Sequence, residues 1–495
     1  MNPLAWKQCT PRLVIALAAM ATLLAALGCG TSGGGPIPPL PGGYSNASLQ
    51  GQYVIAQTGI GVNQAGACCD PFSETIVFTA DGSGNLNIPI DDFDQVGGPF
   101  RDHTTGTYHI NSDGTGTLLF NYSTQSTYAI TMIDDSHFYV IEQDVFATAS
   151  GFGEKQDTTA FTAPPSGNFV FKAHNISSSS RVGGITITSG AVNGTEDLLT
   201  LGLLSSSQAI ATTVAMSAPD TTNGIGTFTL NDGSSFNYYV VNSSKFHFMS
   251  NSSSGSLEIG QAEAQTGGPF SVATLANGTS YVFGSSGDTT SNTVAIHSAG
   301  VFTTDGNGGI TGGAVDYVQD TTVNANLAVS GGSYLLDSTG RGQINLTLTG
   351  GTISPQIFWM VNGTRAYFLA DSAAAVEDGT FSLQQGAPFS ALSDQAAFVM
   401  DGFDIAYKDR VGAFAPTSGG FNWKQAANSF DVNLGGSATA IGTNGTAQVS
   451  SNGRVAVTVN GVTNSLVFYL SSPGTGFMVQ EDADIGGAFS QQASQ

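Results

Sequence analysis

Ile76-Val-Phe-Thr-Ala-Asp-Gly-Ser-Gly-Asn85 is the stretch that decides the fold. A β-branched and aromatic run enters Asp-Gly, where the positive φ angles of a tight turn carry little steric cost, and the chain doubles back. The phrase returns as Val301-Phe-Thr-Thr-Asp-Gly-Asn-Gly-Gly-Ile310. Looser versions stand at Ile185-Thr-Ile-Thr-Ser-Gly190 and Ala413-Phe-Ala-Pro-Thr-Ser-Gly-Gly420.

Working outward, each copy belongs to a longer repeat. Four segments open alike, at Gly51-Gln-Tyr-Val-Ile55, Gly167-Asn-Phe-Val-Phe171, Thr279-Ser-Tyr-Val-Phe283 and Ala396-Ala-Phe-Val-Met400, with starts 116, 112 and 117 residues apart. A second turn follows in each, at Asp113-Gly114, Asn223-Gly224, Thr339-Gly340 and Asn452-Gly453. An aromatic hairpin comes next, its first arms opening at Tyr128, Tyr238, Phe358 and Val467. Its second arms open at Phe138, Phe246, Tyr367 and Phe477. Each unit ends on a Gly and a Gln, read as Gly151 and Gln156, Gly255 and Gln261, Gly379 and Gln385, and Gly486 and Gln492. Self-similarity at this period, seven or eight short strands per unit and no sustained helical period predict an all-β chain of four tandem antiparallel β-barrel or β-sandwich repeats. Phe236-Asn-Tyr-Tyr-Val-Val241 and Ile357-Phe-Trp-Met-Val361 are apolar at successive positions. Both faces of that strand call for burial, either in a two-layer unit with a covered central strand or, the preferred reading, by packing between neighbouring repeats.

The N-terminal end carries an address. Lys7 and Arg12 precede an apolar run from Leu13 to Leu27. The run has the length of a signal h-region and is short of the roughly 20 residues of a membrane span. It ends at Ala26-Leu27-Gly28-Cys29, which resembles a bacterial lipobox, with Ala26 in place of the usual Leu. On that resemblance Cys29 is acylated and becomes the mature N-terminus. Gly30 to Asn46 is rich in Gly, Ser and Pro and reads as a flexible tether. The absence of Asp after Cys29 favours the outer membrane.

The net charge is −23, and loss of Lys7 and Arg12 with the leader makes it more negative. Such a surface repels nucleic acid and anionic headgroups. Of the four cysteines, Cys9 leaves with the leader and Cys29 carries lipid, so Cys68 and Cys69 remain. Adjacent Cα atoms lie about 3.8 Å apart, below the usual disulfide range of about 4.4–6.8 Å. The two are therefore a strained vicinal disulfide, free thiols or an intermolecular link in a loop.

The search for chemistry finds no catalytic constellation and no cofactor site. The turn carboxylates Asp81, Asp113 and Asp305 each stand alone, whereas a calcium loop needs acids at alternate positions. Asp91, Asp92 and Asp94, and likewise Asp134 and Asp135, read as solvated loop charges. The histidines His103, His109, His137, His174, His247 and His297 show no metal-ligand spacing, and His247 reads as a satisfied strand residue. The Thr79-Ala-Asp-Gly-Ser-Gly-Asn85 phrase resembles that of uncharacterised bacterial surface lipoproteins built from tandem Gly-rich β-repeats, a resemblance that implies no catalytic residues.

The expected organisation is a lipoprotein signal peptide over 1–28, a tether over 29–47, and repeats over 48–163, 164–274, 275–390 and 391–495. The expected function is a non-catalytic, lipid-anchored cell-envelope protein with a structural, adhesive or binding role. Its partners would be the membrane through the lipid and an extracellular protein or glycan. The alternatives are a lipocalin-like binder of small molecules or glycans, with a cavity lined by Tyr53, Phe169, Tyr281 and Phe398, and a surface hydrolase with converging carboxylates.

Overall fold

The computed structural model describes residues 43–493, except for the stretches 63–67, 96–97, 176–177, 253–256, 291–294, 320–321, 352, 404–405, 419, 432–434 and 461–464. Each repeat is a closed barrel of eight antiparallel strands in sequence order. Barrel 1 runs from strand Gln50–Val62 to strand Ala147–Lys155, and barrel 2 from Gly167–Asn175 to Glu258–Ala264. Barrel 3 runs from Thr279–Thr289 to Ala375–Leu383, and barrel 4 from Ala396–Phe403 to Asp484–Gln491. Hairpins alone connect neighbours, so the last strand pairs with the first, in registers such as Val54 with Glu154 and Phe398 with Phe489. Closure removes the sheet edges that an open hairpin stack would expose.

Alternation along the strands sends large side chains inward. Tyr53, Phe78 and Phe138 pack together in barrel 1, and Phe398 stacks on Trp423 at 4.1 Å in barrel 4. The four proposed cavity liners, Tyr53, Phe169, Tyr281 and Phe398, are all buried within apolar core clusters. Burying each such ring is worth roughly 1.5–3 kcal/mol.

One aromatic residue preceding each barrel joins its core: Tyr44, Phe161, Phe270 and Phe389. Each lies on the glycine of the second turn. A Cβ on Gly224 would come within 2.5 Å of Phe161, and one on Gly340 within 3.0 Å of Phe270. Those turns need glycine for a positive φ and for this contact together. Tyr44 lies in the expected tether, and Phe161, Phe270 and Phe389 lie in the tails of the expected preceding repeats, yet all four belong to the barrel that follows.

The outer faces of the barrels also pack, and they do so in a cycle. Val54, Val77 and Ile90 of barrel 1 meet Tyr239, Val241 and Met249 of barrel 2. Val170, Val182 and Leu199 of barrel 2 meet Ile357, Trp359 and Tyr367 of barrel 3. Val282, Ala299 and Val301 of barrel 3 meet Val467, Tyr469 and Val479 of barrel 4. Ala397 and Val411 of barrel 4 then return to Ala129, Tyr139 and Ile141 of barrel 1. Every junction sets the early strands of one barrel against the late strands of the next. It is a head-to-tail contact whose rotation closes a ring after four copies. The doubly apolar strand is thereby explained: Phe236 and Tyr238 point into their barrel, Tyr239 and Val241 into the junction.

A glutamine spans every junction. Gln156, Gln265, Gln384 and Gln492 donate to the carbonyls of Val240, Met360, Leu470 and Met132, each in the next barrel around the ring, at 2.6, 2.8, 2.8 and 2.7 Å. The equivalent glutamines are thus Gln265 and Gln384, not Gln261 and Gln385. Gln261 lies in a strand, where it donates to the Tyr367 hydroxyl, and Gln385 uses its backbone N–H on Ser471.

Candidate functional site

An acid or amide stands at one equivalent position in the third strand of every barrel and faces the junction: Asp92, Asp197, Asp316 and Asn428. Asp92 accepts from Arg101 at 2.6 Å, from Asn237 at 3.0 Å and from the Tyr239 hydroxyl. Asp197, with no exposed surface, accepts from Arg341 at 2.6 and 2.9 Å and from the Trp359 indole at 2.9 Å. Asp316 repeats this with Arg454 at 2.7 Å twice and Tyr469 at 2.5 Å. Burial alone would raise the Asp316 carboxyl, but Arg454 and Tyr469 hold it below the usual range. Asn428 differs, because the face it meets offers carbonyls: it donates to Glu142, Asp144 and Ala147 at 3.0, 3.1 and 2.8 Å.

Asp91, Asp92 and Asp94 are therefore not solvated loop charges. They are buried in strand Asn85–Gln95. Asp91 accepts from the Tyr122 hydroxyl, and burial pushes its carboxyl up to about 6. Asp134 and Asp135 do sit at a turn, where Asp134 meets His137 at 2.9 Å. Asp81 and Asp305 behave as turn residues, accepting from the Ser83 and Asn85 amides and from those of Asn307 and Gly309. Asp113 does not stand alone: it accepts from the Thr115 amide and from Lys424 of barrel 4 at 2.6 Å.

Toward the middle of the ring, polar groups on the outer barrel faces form a network across barrels 1, 2 and 3. Glu154 accepts from Lys245 at 2.8 Å and lies 2.7 Å from Nε2 of His247. Burial would raise its carboxyl, but Lys245 and His247 hold it far down. Glu263 accepts from Arg365 at 2.7 Å and Tyr367 at 2.6 Å. Lys172 lies over the Tyr367 ring and binds Asp378 at 3.1 Å. His247, read as a satisfied strand histidine, is one.

All four barrels contribute to a central cavity of about 170 Å³. The outer face of each first strand leads into it: Thr58 and Ile60, His174, Ser286 and Asp288, and Asp401 and Phe403. Asp401 and Asp409 are cross-strand partners, so their carboxylates leave barrel 4 on one side. Asp409 accepts from the Thr148 hydroxyl of barrel 1. Burial and Asp401 push the Asp409 carboxyl up to about 8, and burial with Asp288 pushes Asp401 up to about 6. Three scattered histidines converge around this centre, His174 and His297 in the cavity wall and His247 in the network. Among the described residues no group of three or more His, Cys, Asp or Glu could hold a metal ion.

Of the residues singled out from the sequence, Cys29 lies outside the described residues. Cys69 is disulfide-bonded, while the side chain of Cys68 lies outside them. The sequence reading missed Asp197, Asp316, Asn428, Asp401 and Asp409. Unequal loops shift their spacing from each repeat start, and only alignment on outward-facing strand positions brings them into line.

No protein-family model matches the chain, and no curated protein matches it. Two solved structures cover 93% of it. "Crystal structure of CghA" is 9% identical, with 94% of that chain covered and a TM-score of 0.13. "Crystal structure of CghA with Sch210972" is 8% identical, with 95% covered and a TM-score of 0.14. At these scores the chain's architecture stands on its own four barrels and the ring they close.

Proposed function

We propose that this chain is a non-catalytic, lipid-anchored protein of the cell envelope, held at the outer membrane through Cys29, whose four-barrel ring is a rigid structural or adhesive display unit. The observation that carries this reading is the cluster of packed apolar side chains inside each barrel. A lipocalin-like carrier needs an open interior of several hundred Å³, and the apolar space inside barrel 2, lined by Phe171, Ile185 and Phe248, is about 30 Å³, room for about one water. The partner is an extracellular protein or glycan rather than nucleic acid, in keeping with the net charge of −23.

The hydrolase alternative asks for converging carboxylates, and the central cavity holds some. Asp288 and Asp378 of barrel 3 line it beside Asp401 and Asp409 of barrel 4, but at about 170 Å³ it is smaller than the roughly 300–1,000 Å³ of an ordinary ligand cleft. Replacing Cys29 with Ser tests the anchor. The variant should leave the membrane fraction, or stay unprocessed, with its barrels folded by circular dichroism. A variant that remained membrane-bound at the mature size would refute lipidation, and glycan-array and cell-surface pull-down assays with the soluble ring would test display.

A further inference from the structure

The central cavity has features that neither a display role nor the ring's stability requires. Asp401 and Asp409 stand side by side in its wall, and among the described residues neither forms an ion pair. Lys172, the cation that acts on Asp401, is already bound to Asp378. Across from them His297 is only 2% exposed, and neither imidazole nitrogen makes a well-formed hydrogen bond. Burial pushes this imidazole down to about 4, opposed only in part by the backbone of Asp484. The His297 ring lies against Gly486 of barrel 4, where a Cβ would come within 2.5 Å of Nδ1. Buried polar groups without good partners are rare because each costs about 1–3 kcal/mol, so a carboxyl pair with no cation of its own beside a weakly held imidazole points to a partner that arrives separately.

We propose that the central cavity binds a small organic cation, an aliphatic primary amine or diamine, with its ammonium group on Asp401 and Asp409 and a second polar group within reach of His297. The chemistry of the wall selects this class. An ammonium carries three donors and needs acceptors, which the two carboxylates and the hydroxyls of Thr58 and Ser150 supply. An aliphatic body is matched by Ile60, Val376 and the Phe403–Tyr407 pair, whose rings lie 5.0 Å apart. A cavity of about 170 Å³ is close to the roughly 150 Å³ that holds benzene, which suits about six heavy atoms. Anions are repelled by Asp288 and Asp401, and the Asp409 carboxyl, raised by burial and by Asp401, ionises more readily once an ammonium lies beside it. A bare divalent metal would need a ligand cage that the described residues do not form. The inference stands apart from the envelope reading and does not depend on it.

Titration calorimetry on the full mature chain tests it, with putrescine and n-butylamine as probes, n-butanol as the neutral analogue and calcium chloride as the inorganic cation. Both amines should bind and butanol should not. Asp401→Asn and Asp409→Asn should each weaken putrescine about tenfold or more, the loss expected for one charge-assisted hydrogen bond. Should Asp409→Asn fail to fold, because Asp409 holds Thr148 of the next barrel, Asp401→Asn carries the test alone. No heat with either amine at millimolar concentration, calcium binding that displaces the amines, or unchanged amine affinity in Asp401→Asn would each overturn the proposal.

Discussion

Replacing Asn428 with Asp changes one amide to a carboxylate at the seam where barrel 4 meets barrel 1. Asn428 is 1% exposed, and its Nδ2 donates to three carbonyl oxygens of barrel 1 at 2.8–3.1 Å. The substitution removes the donor and turns an acceptor-only group toward three acceptors. At about 1–3 kcal/mol for each buried group left unsatisfied, part of it relieved by movement, the cost is about 3–6 kcal/mol near neutral pH. Asn428→Ala loses the bonds without adding charge and should cost less. The introduced carboxyl, buried among carbonyls, has its folded-state pKa raised. Native chains then hold the proton more tightly than unfolded ones, so the variant's stability is highest in acid and is lost as pH rises through that raised pKa. Denaturant titration gives the magnitude. Hydrogen exchange over strands Ser126–Met132, Tyr407–Thr417 and Gly420–Asp431 gives the place. Equal stability of Asn428→Asp and Asn428→Ala at neutral pH, or faster exchange at a different junction instead, would refute the reading of this seam.

Other outcomes follow from the same geometry. Arg454→Met strands Asp316 in a site with no exposure and should cost about 3–5 kcal/mol, with the Asp316 carboxyl rising by NMR titration. Gly340→Ala and Gly453→Ala place a Cβ at φ +96 and +89 against Phe270 and Phe389. Each should cost about 1–2 kcal/mol or more and lower the melting temperature, while Gly233→Ala, with open space around it, should show only the strain of its φ. Asp409→Asn removes a carboxyl raised to about 8 by burial and by Asp401, in a cavity that Asp288, Asp378, His174 and His297 also face, with Lys172 close enough to act on Asp401. The native state of the parent holds this proton more tightly than the unfolded state, so the parent loses stability relative to the variant as pH climbs from about 4 to about 8. The gap should reach on the order of 5 kcal/mol above that window, and a gap independent of pH would show that Asp409 is ionised throughout.

The four antiparallel β-repeats were legible in the sequence because their cause is local, whereas closure into barrels rather than sandwiches was not. Turn glycines such as Gly82 and Gly114 and the alternation around Tyr53 or Phe138 lie within a few residues of one another, and each repeat states them again. Inter-repeat packing was legible for a related reason, since Tyr239 and Trp359 sit between inward residues and had to be covered by something. Ring closure was not, because nothing near Ala397 or Val411 says which barrel covers them. The central carboxylates were hidden for the same cause. Asp401 reads as an ordinary strand-end charge until strands from four separate repeats bring Thr58, His174 and Asp288 to the same place. Asp92 was misread because an acid pair beside a Gly-rich stretch resembles a loop, whereas its guanidinium partner lies nine residues on and its hydroxyl partner in another barrel.

The seam between barrels 4 and 1 also brings the two ends of the described chain together: the Tyr44 hydroxyl donates to the carbonyls of Ile133 and Ala493. Three junctions are crossed by the described polypeptide and the fourth is not, yet the fourth keeps the head-to-tail contact and the glutamine, with an amide where the others have an acid. The assembled molecule therefore carries little record of where its chain starts. Sequence order is a cut made in a cyclic object, and joining 493 to 44 while opening any of the other three linkers would describe the same molecule in a different reading frame.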